Sequence, residues 1–244
     1  MLKTLESVFR AQGIDYFIVG ALARDIQLSA RGGAEAKRKT NDVDIALVLD
    51  AEEQFYQIRQ ALIATGEFEE TPKYDIKLLY RGSIDVDMLP FGAIENEHRE
   101  LHLTRHPVLT MDMHGFREVY PFVEEHIIAE GLSLKVCSLE GLVLLKLIAN
   151  ASNSSRSKDI TDIEHIIEVY FWLNAEVFYT NYNNAMDLYD TALPDYLPLV
   201  SARVIGRRIS ELLINTTGGK EKLQAILSRR PTATWQAMLD GLND

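Results

Sequence analysis

Asp42-Val43-Asp44 opens an apolar run that reads as a β-strand. Alternation along a strand sends both carboxylates to the same side. Two parallel carboxylates repel each other unless a cation lies between them or water solvates them fully. Hard oxygen ligands of this kind suit Mg²⁺, which binds through one or two carboxylates together with substrate phosphates. A solvated strand start would show the same residues, so the pair gains meaning from its surroundings. Asp85-Val86-Asp87 repeats the pattern on a second strand. If the two strands are neighbours, a third carboxylate reaches the same edge, the donor set of a two-metal site for phosphoryl or nucleotidyl transfer. Asp87 stands just before Met88-Leu89-Pro90-Phe91-Gly92, where the strand ends, and is favoured as the third ligand. Periodicity does not separate it from Asp85.

Groups suited to phosphate lie around these carboxylates. Val19-Gly20-Ala21 joins a strand to a helix. A glycine there lets the backbone approach a phosphate, and the helix start offers free N–H groups. Arg24 follows one turn later, where it could touch phosphate or pair with Asp25. Lys37-Arg38-Lys39 precedes the Asp pair and could attract a triphosphate or an RNA backbone. Farther on, Lys146 interrupts the apolar Leu144-Leu145-Lys146-Leu147-Ile148, so it either snorkels to water or faces an anion. Lys158, Asp159 and Asp162 open the next helix, where aspartates are also favoured by capping and the helix dipole.

The elements that must position these residues can be read from periodicity. Residues 1–12 have amphipathic helical spacing through Leu2, Leu5, Val8 and Phe9. Tyr16–Val19 reads as a buried strand, 21–26 as helix, 29–41 as a basic loop, 43–49 as a strand and 51–65 as helix. Tyr74–Tyr80 and Ile84–Leu89 read as strands of a hairpin. Phe116–Tyr120 has strand-like composition. This order describes a small mixed α/β sheet. From Ser138 the spacing becomes helical, with helices at 139–150, 159–174, 176–190, 199–214, 220–228 and 233–241. The expected organisation is an α/β core at 1–137 and a helical C-terminal lobe at 138–244.

The chain has 244 residues, 36 Asp plus Glu, 25 Lys plus Arg and a net charge of −11. Such a balance argues against broad duplex-DNA binding, which needs a basic face. It does not exclude a local basic patch, such as Arg31 with Lys37–Lys39. A single cysteine, Cys137, excludes an internal disulfide and a cysteine-rich zinc site. The charged N-terminus is unlike a signal peptide, and no apolar run reaches the ~20 residues of a membrane helix. These features lead us to expect a soluble cytoplasmic protein with no membrane partner.

Five segments in order carry a resemblance: Phe17–Arg24, Lys39-Thr40-Asn41-Asp42-Val43-Asp44-Ile45, Asp85–Gly92, Lys146–Ala149 and Lys158–Asp162. Together they resemble the AbiEii/AbiGii-like nucleotidyltransferase toxin family of the polymerase-β-like superfamily. The resemblance implies a polymerase-β-like nucleotidyltransferase core with a mixed sheet and a helical C-terminal lobe. It implies an NTP substrate, a two-metal Mg²⁺ site on Asp42, Asp44 and Asp87, and transfer of an NMP to an acceptor hydroxyl. RNA, often tRNA, is the implied acceptor, and an antitoxin is the implied partner. Gly20, Ala21, Arg24, Lys39, Thr40 and Lys158 would bind the nucleotide. Lys146 would neutralise charge, with Asp159 orienting it or the nucleotide. The family's first motif usually continues from glycine to Gly or Ser. Gly20-Ala21 keeps the backbone N–H and lacks a hydroxyl.

Rival readings share parts of this pattern. An antibiotic nucleotidyltransferase uses the same core, and a catalytically silent protein could keep the fold as a binding scaffold. A glycosyltransferase would use Asp-x-Asp without Gly20-Ala21 upstream. His98, His102 and His106 recur every four residues, a spacing that on a helix could align zinc ligands; Pro107 breaks the continuation. Tyr170, Phe171, Trp172, Phe178, Tyr179 and Tyr182 could stack bases or pack a core.

Overall fold

The computed structural model describes residues 1–32, 42–71, 74–105 and 108–244. The chain divides into two compact units, Met1–Gln27 with Ala36–Ser138, and Leu28–Glu35 with Leu139–Asp244. The fold is mixed α/β, a sheet-based unit and a helical unit.

In the first unit, α1 (Leu2–Ala11) leads to β1 (Tyr16–Val19), α2 (Gly20–Ala30), β2 (Asp42–Val48) and α3 (Glu52–Ala64). Next come β3 (Phe68–Glu70), β4 (Lys77–Tyr80) and β5 (Ile84–Phe91). The segment after β5 holds β6 (Glu100–Leu103), β7 (Leu109–Asp112), α4 (Phe116–Val119), a 3₁₀ turn (Tyr120–Phe122), β8 (Glu124–Ala129) and β9 (Leu132–Val136). Among the described residues, seven strands form one sheet in the order β3-β4-β5-β2-β1-β9-β8, and β6 and β7 pair separately. β2 with β5 and β1 with β9 are parallel; the other pairs of the sheet are antiparallel.

β2 lies inside this sheet, which explains its apolar character: Val43, Ile45, Ala46 and Leu47 are buried. α1 packs against α3; Leu5 and Phe9 are buried on α1, and Phe55, Ile58 and Leu62 on α3. Each such apolar side chain contributes about 1.5–3 kcal/mol of burial.

Two readings from the sequence are corrected here. Phe116–Tyr120 is not a strand: Gly115, at φ 95°, turns the chain, and α4 begins at Phe116. The Gly115 N–H donates to the Glu118 carboxylate at 2.9 Å, satisfying a backbone donor at the helix start. The segment with His98 and His102 is not a helix either. His102 belongs to β6, where its Nδ1 lies 2.8 Å from the Thr110 hydroxyl on β7. His106 lies outside the described residues.

The second unit contains α5 (Leu139–Ser152), α6 (Ser157–Leu173), α7 (Ala175–Asn181), α8 (Asn183–Met186), α9 (Tyr196–Leu212), α10 (Gly219–Leu227) and α11 (Ala233–Asn243). Helical spacing over 176–190 resolves into two short helices, α7 and α8. α9 and α11 cross closely enough to need glycine on both. A Cβ on Gly206 would lie 2.1 Å from the Met238 carbonyl oxygen, and one on Gly241 would lie 1.9 Å from that of Arg203. The aromatic stretch is mainly core: Tyr170, Phe171 and Phe178 are buried, whereas Trp172 and Tyr179 are exposed. No described helix is long and apolar enough to cross a membrane.

Candidate active site

Sheet register assembles the acidic face. β2 and β5 run parallel with Asp42 beside Asp85 and Asp44 beside Asp87. The intervening Val43 and Val86 turn to the opposite face and are buried. Pleating therefore places four carboxylates on one face of two adjacent strands. β4 extends the same face: Lys77 stands opposite Asp87 in the antiparallel β4–β5 pair.

Lys77 was not among the residues singled out from sequence. Its ammonium lies 2.6 Å from Asp85 Oδ2 and 3.2 Å from Asp87 Oδ1. Only the first contact is an aligned hydrogen bond; buried Asp87 Oδ1 has none. The two carboxylates also differ in exposure, with 42% for the Asp85 side chain and 22% for Asp87. Burial raises the Asp87 carboxyl above the usual aspartate range. Lys77 opposes the shift, Asp85 and Asp42 add to it, and the net direction is upward. Asp42 is thus close enough to act electrostatically on Asp87.

Gly20 closes the other side. Asp44 is paired across β1–β2 with Val19, and Gly20 begins α2 directly after it. A Cβ on Gly20 would lie 1.9 Å from Asp44 Oδ2, and its φ of +66° is itself a glycine conformation. The glycine read from sequence as an approach point for phosphate also makes room for the Asp44 carboxylate. Ala21 is half-buried in the first turn of α2. Arg24 is buried and directs Nε and Nη2 to Asp25 Oδ1 at 2.9 and 2.8 Å. Lys39 and Thr40, with the Lys37–Lys39 run, lie outside the described residues.

The second unit has its own charged cluster. Lys146 Nζ on α5 lies 2.7 Å from Asp162 Oδ2 and 3.3 Å from Asp159 Oδ1 on α6. Arg156 Nε approaches Asp159 Oδ2 at 2.6 Å. Of its two readings, a snorkel to water or a cation facing an anion, Lys146 takes the second. It is held between two carboxylates, with Asp159 itself buried. Arg156 joins Lys146, Asp159 and Asp162, the three members of the cluster singled out from sequence. The helical i, i+3 spacing of Asp159 and Asp162 was the available signal. Lys158 is exposed on α6.

No three His, Cys, Asp or Glu residues among those described gather into a ready-made metal-binding group. The donor chemistry still fits a divalent cation. The face offers oxygen ligands only, its carboxylates crowd one another, and Asp87 keeps a buried oxygen without an aligned hydrogen-bond donor. Mg²⁺ takes few protein ligands and completes its shell with water and phosphate oxygens.

No curated protein matches the chain. Among solved structures, an antigenic nucleotidyltransferase-like protein from Paracoccidioides brasiliensis is 15% identical, with a TM-score of 0.46 over 92% of this chain and 90% of that one. The antibiotic-resistance factor ANT(2'')-Ia is 11% identical, with a TM-score of 0.40 over 86% of this chain and 91% of its own. Residues 22–244 match the family described as nucleotidyl transferase AbiEii toxin, type IV TA system, and the chain belongs to that family of nucleotidyltransferases.

Proposed function

We propose that this nucleotidyltransferase moves a nucleoside monophosphate from an NTP to a hydroxyl of an RNA acceptor, tRNA first among them, and acts as the toxin of a toxin–antitoxin pair. The observation that carries the site assignment is the parallel β2–β5 register, which sets Asp44 beside Asp87 with Gly20 against Asp44. The acceptor oxygen attacks the α-phosphorus in line, the bond to the bridging oxygen breaks, and pyrophosphate leaves.

Asp42, Asp44 and Asp87 are the residues that would hold Mg²⁺. A divalent cation there would neutralise phosphate charge and lower the pKa of a bound hydroxyl. The chain's own contribution is positioning and electrostatics. Gly20 and Ala21 present backbone to the β- and γ-phosphates, and the Arg24–Asp25 pair braces that turn. Lys146 neutralises charge on the nucleotide, and Asp159 and Asp162 fix its ammonium. Lys39, Thr40 and Lys158 complete the proposed nucleotide contacts.

The test is incubation with each labelled NTP, Mg²⁺ and total tRNA, beside Asp44→Ala. Label in the tRNA fraction that disappears with the variant is the expected result. Label appearing only on a small-molecule hydroxyl would move the acceptor to an antibiotic-like compound. No transfer to any acceptor, with no NTP binding by calorimetry, would leave a silent scaffold.

A further inference from the structure

Lys77 pairs with two of the four carboxylates on this face, Asp85 and Asp87, and no part of the proposed reaction uses it. Its side chain is 25% exposed, so it is held in place rather than left trailing in water. It chooses unequally between its two partners. With Asp85 it makes a hydrogen-bonded ion pair at 2.6 Å. With Asp87 it makes a longer contact at 3.2 Å, and Asp87 Oδ1 keeps no aligned donor. One ammonium therefore serves two carboxylates, satisfying one and only neutralising the other.

We propose that Lys77 is the built-in counter-ion of the carboxylate face: it reserves Asp85 for itself and competes with a divalent cation for Asp87. This rests on the reading that the face binds a divalent cation. When the cation takes Asp87, Lys77 withdraws to Asp85 alone, the partner it already prefers. The pairing also separates two aspartates that periodicity leaves equivalent: Asp85 is the lysine's ligand and Asp87 the metal's. Lys77 is thus a positioning residue that tunes how readily the face loads. Its absence would leave neighbouring like charges unscreened in the metal-free protein.

Mn²⁺ alone, without nucleotide, is the probe, titrated by calorimetry into the wild type, Lys77→Met, Lys77→Arg, Asp85→Asn and Asp87→Asn. The expected result is Mn²⁺ binding about tenfold tighter in Lys77→Met, because a repelling positive charge beside the site is gone. Lys77→Arg should stay near the wild type. Asp85→Asn should bind more weakly, because Lys77 then turns wholly to Asp87. In parallel, Lys77→Met should melt below the wild type in chelator and recover when Mn²⁺ is added, a response that a purely structural lysine would not give. Wild-type binding lost in Asp87→Asn, but no tighter in Lys77→Met, would overturn the competition and keep the metal reading. Absence of Mn²⁺ binding in the wild type and in Lys77→Met would overturn both. If Lys77→Met does not fold, Asp85→Asn binding as tightly as the wild type would overturn the competition.

Discussion

The carboxylate face of the first unit and the ion cluster of the second use the same residue types and reach opposite balances. On the β5 side of the face Asp85 and Asp87 share one lysine, Lys77. Lys146 and Arg156 meet Asp159 and Asp162, two charges against two. A buried carboxylate without a matched cation costs free energy, and proteins keep such a group chiefly where a ligand or metal repays it. The unsatisfied Asp87 oxygen accords with the proposal that a cation completes this face. The balanced cluster completes itself and delivers one lysine in a fixed pose.

The most severe way to break this contrast is to remove the carboxylate that Gly20 accommodates. Asp44→Asn should lower kcat/KM by about a thousandfold, roughly 4 kcal/mol of transition-state stabilisation, while circular dichroism stays native. Loss of less than tenfold would mean that the face is not the reacting centre. Gly20→Ala attacks the same contact from the other side. Its Cβ would meet Asp44 Oδ2 at 1.9 Å, so the carboxylate or the turn must move. We expect about a hundredfold loss of activity, since small displacements of catalytic groups have costs of that order. A drop of about 1–3 kcal/mol in unfolding free energy should accompany it, from φ strain plus the clash. Native activity in Gly20→Ala would remove Asp44 from the centre just as firmly.

How far each region could be read from sequence follows from the range of the interactions that make it. Tyr16–Val19 and Val43–Leu49 are apolar runs bounded by turn residues, and their strands follow from local composition. The Asp-x-Asp alternation places each pair on one face without any knowledge of partners. The parallel pairing of Asp44 with Asp87 depends on a crossover through α3, β3 and β4, so local spacing left Asp85 and Asp87 equivalent. Lys77 was hidden for the same reason: its meaning comes from the strand opposite it. Phe116–Tyr120 misled because aromatic and β-branched residues favour strands, whereas Gly115 and the Glu118 carboxylate initiate a helix turn there. Lys146 stood out as a charge in an apolar helix. Its two aspartate partners became visible only when α5 met α6.

The balanced cluster should respond differently. The Lys146 side chain is 12% exposed and Asp159 6%. Removing the cation leaves charges unpaired in a mostly dry place, so Lys146→Met should cost about 2–4 kcal/mol of stability. Asp162→Asn should cost less, because Asp159 still holds the ammonium. The double variant should cost less than the two single changes added, as coupled partners do. Additive costs, measured by denaturant unfolding, would show that the four residues do not act as one cluster. Because Lys146 is also proposed to neutralise the nucleotide, its activity loss should exceed that of Asp162→Asn.

The smallest expected effect tests whether balance belongs to a cluster or to its unit. The first unit also contains a matched quartet. Arg99 forks onto Glu118 at 2.9 and 3.2 Å, and Glu95 receives Arg99 at 2.5 Å and Arg117 at 3.1 Å. Burial alone would raise the Glu118 carboxyl, but the Arg99 fork, with help from the Gly115 N–H, outweighs it and holds the group below the ordinary glutamate value of 4.5. A carboxyl lowered on folding binds fewer protons folded than unfolded. Its stabilisation is fully present above pH 4.5 and is lost as the pH falls through the lower folded value. Wild-type stability should therefore decline below pH 4.5 more steeply than that of Glu118→Gln, with the two curves running parallel at neutral pH. Asp87 should behave in the opposite sense before any cation binds, because its carboxyl is raised and its charged form is disfavoured by folding. Asp87→Asn should therefore be more stable than the wild type at neutral pH in chelator, and this advantage should shrink as the pH falls through the Asp87 titration. A Glu118→Gln curve that tracks the wild type below pH 4.5 would remove the quartet from the comparison and leave the Lys146 cluster as its balanced side.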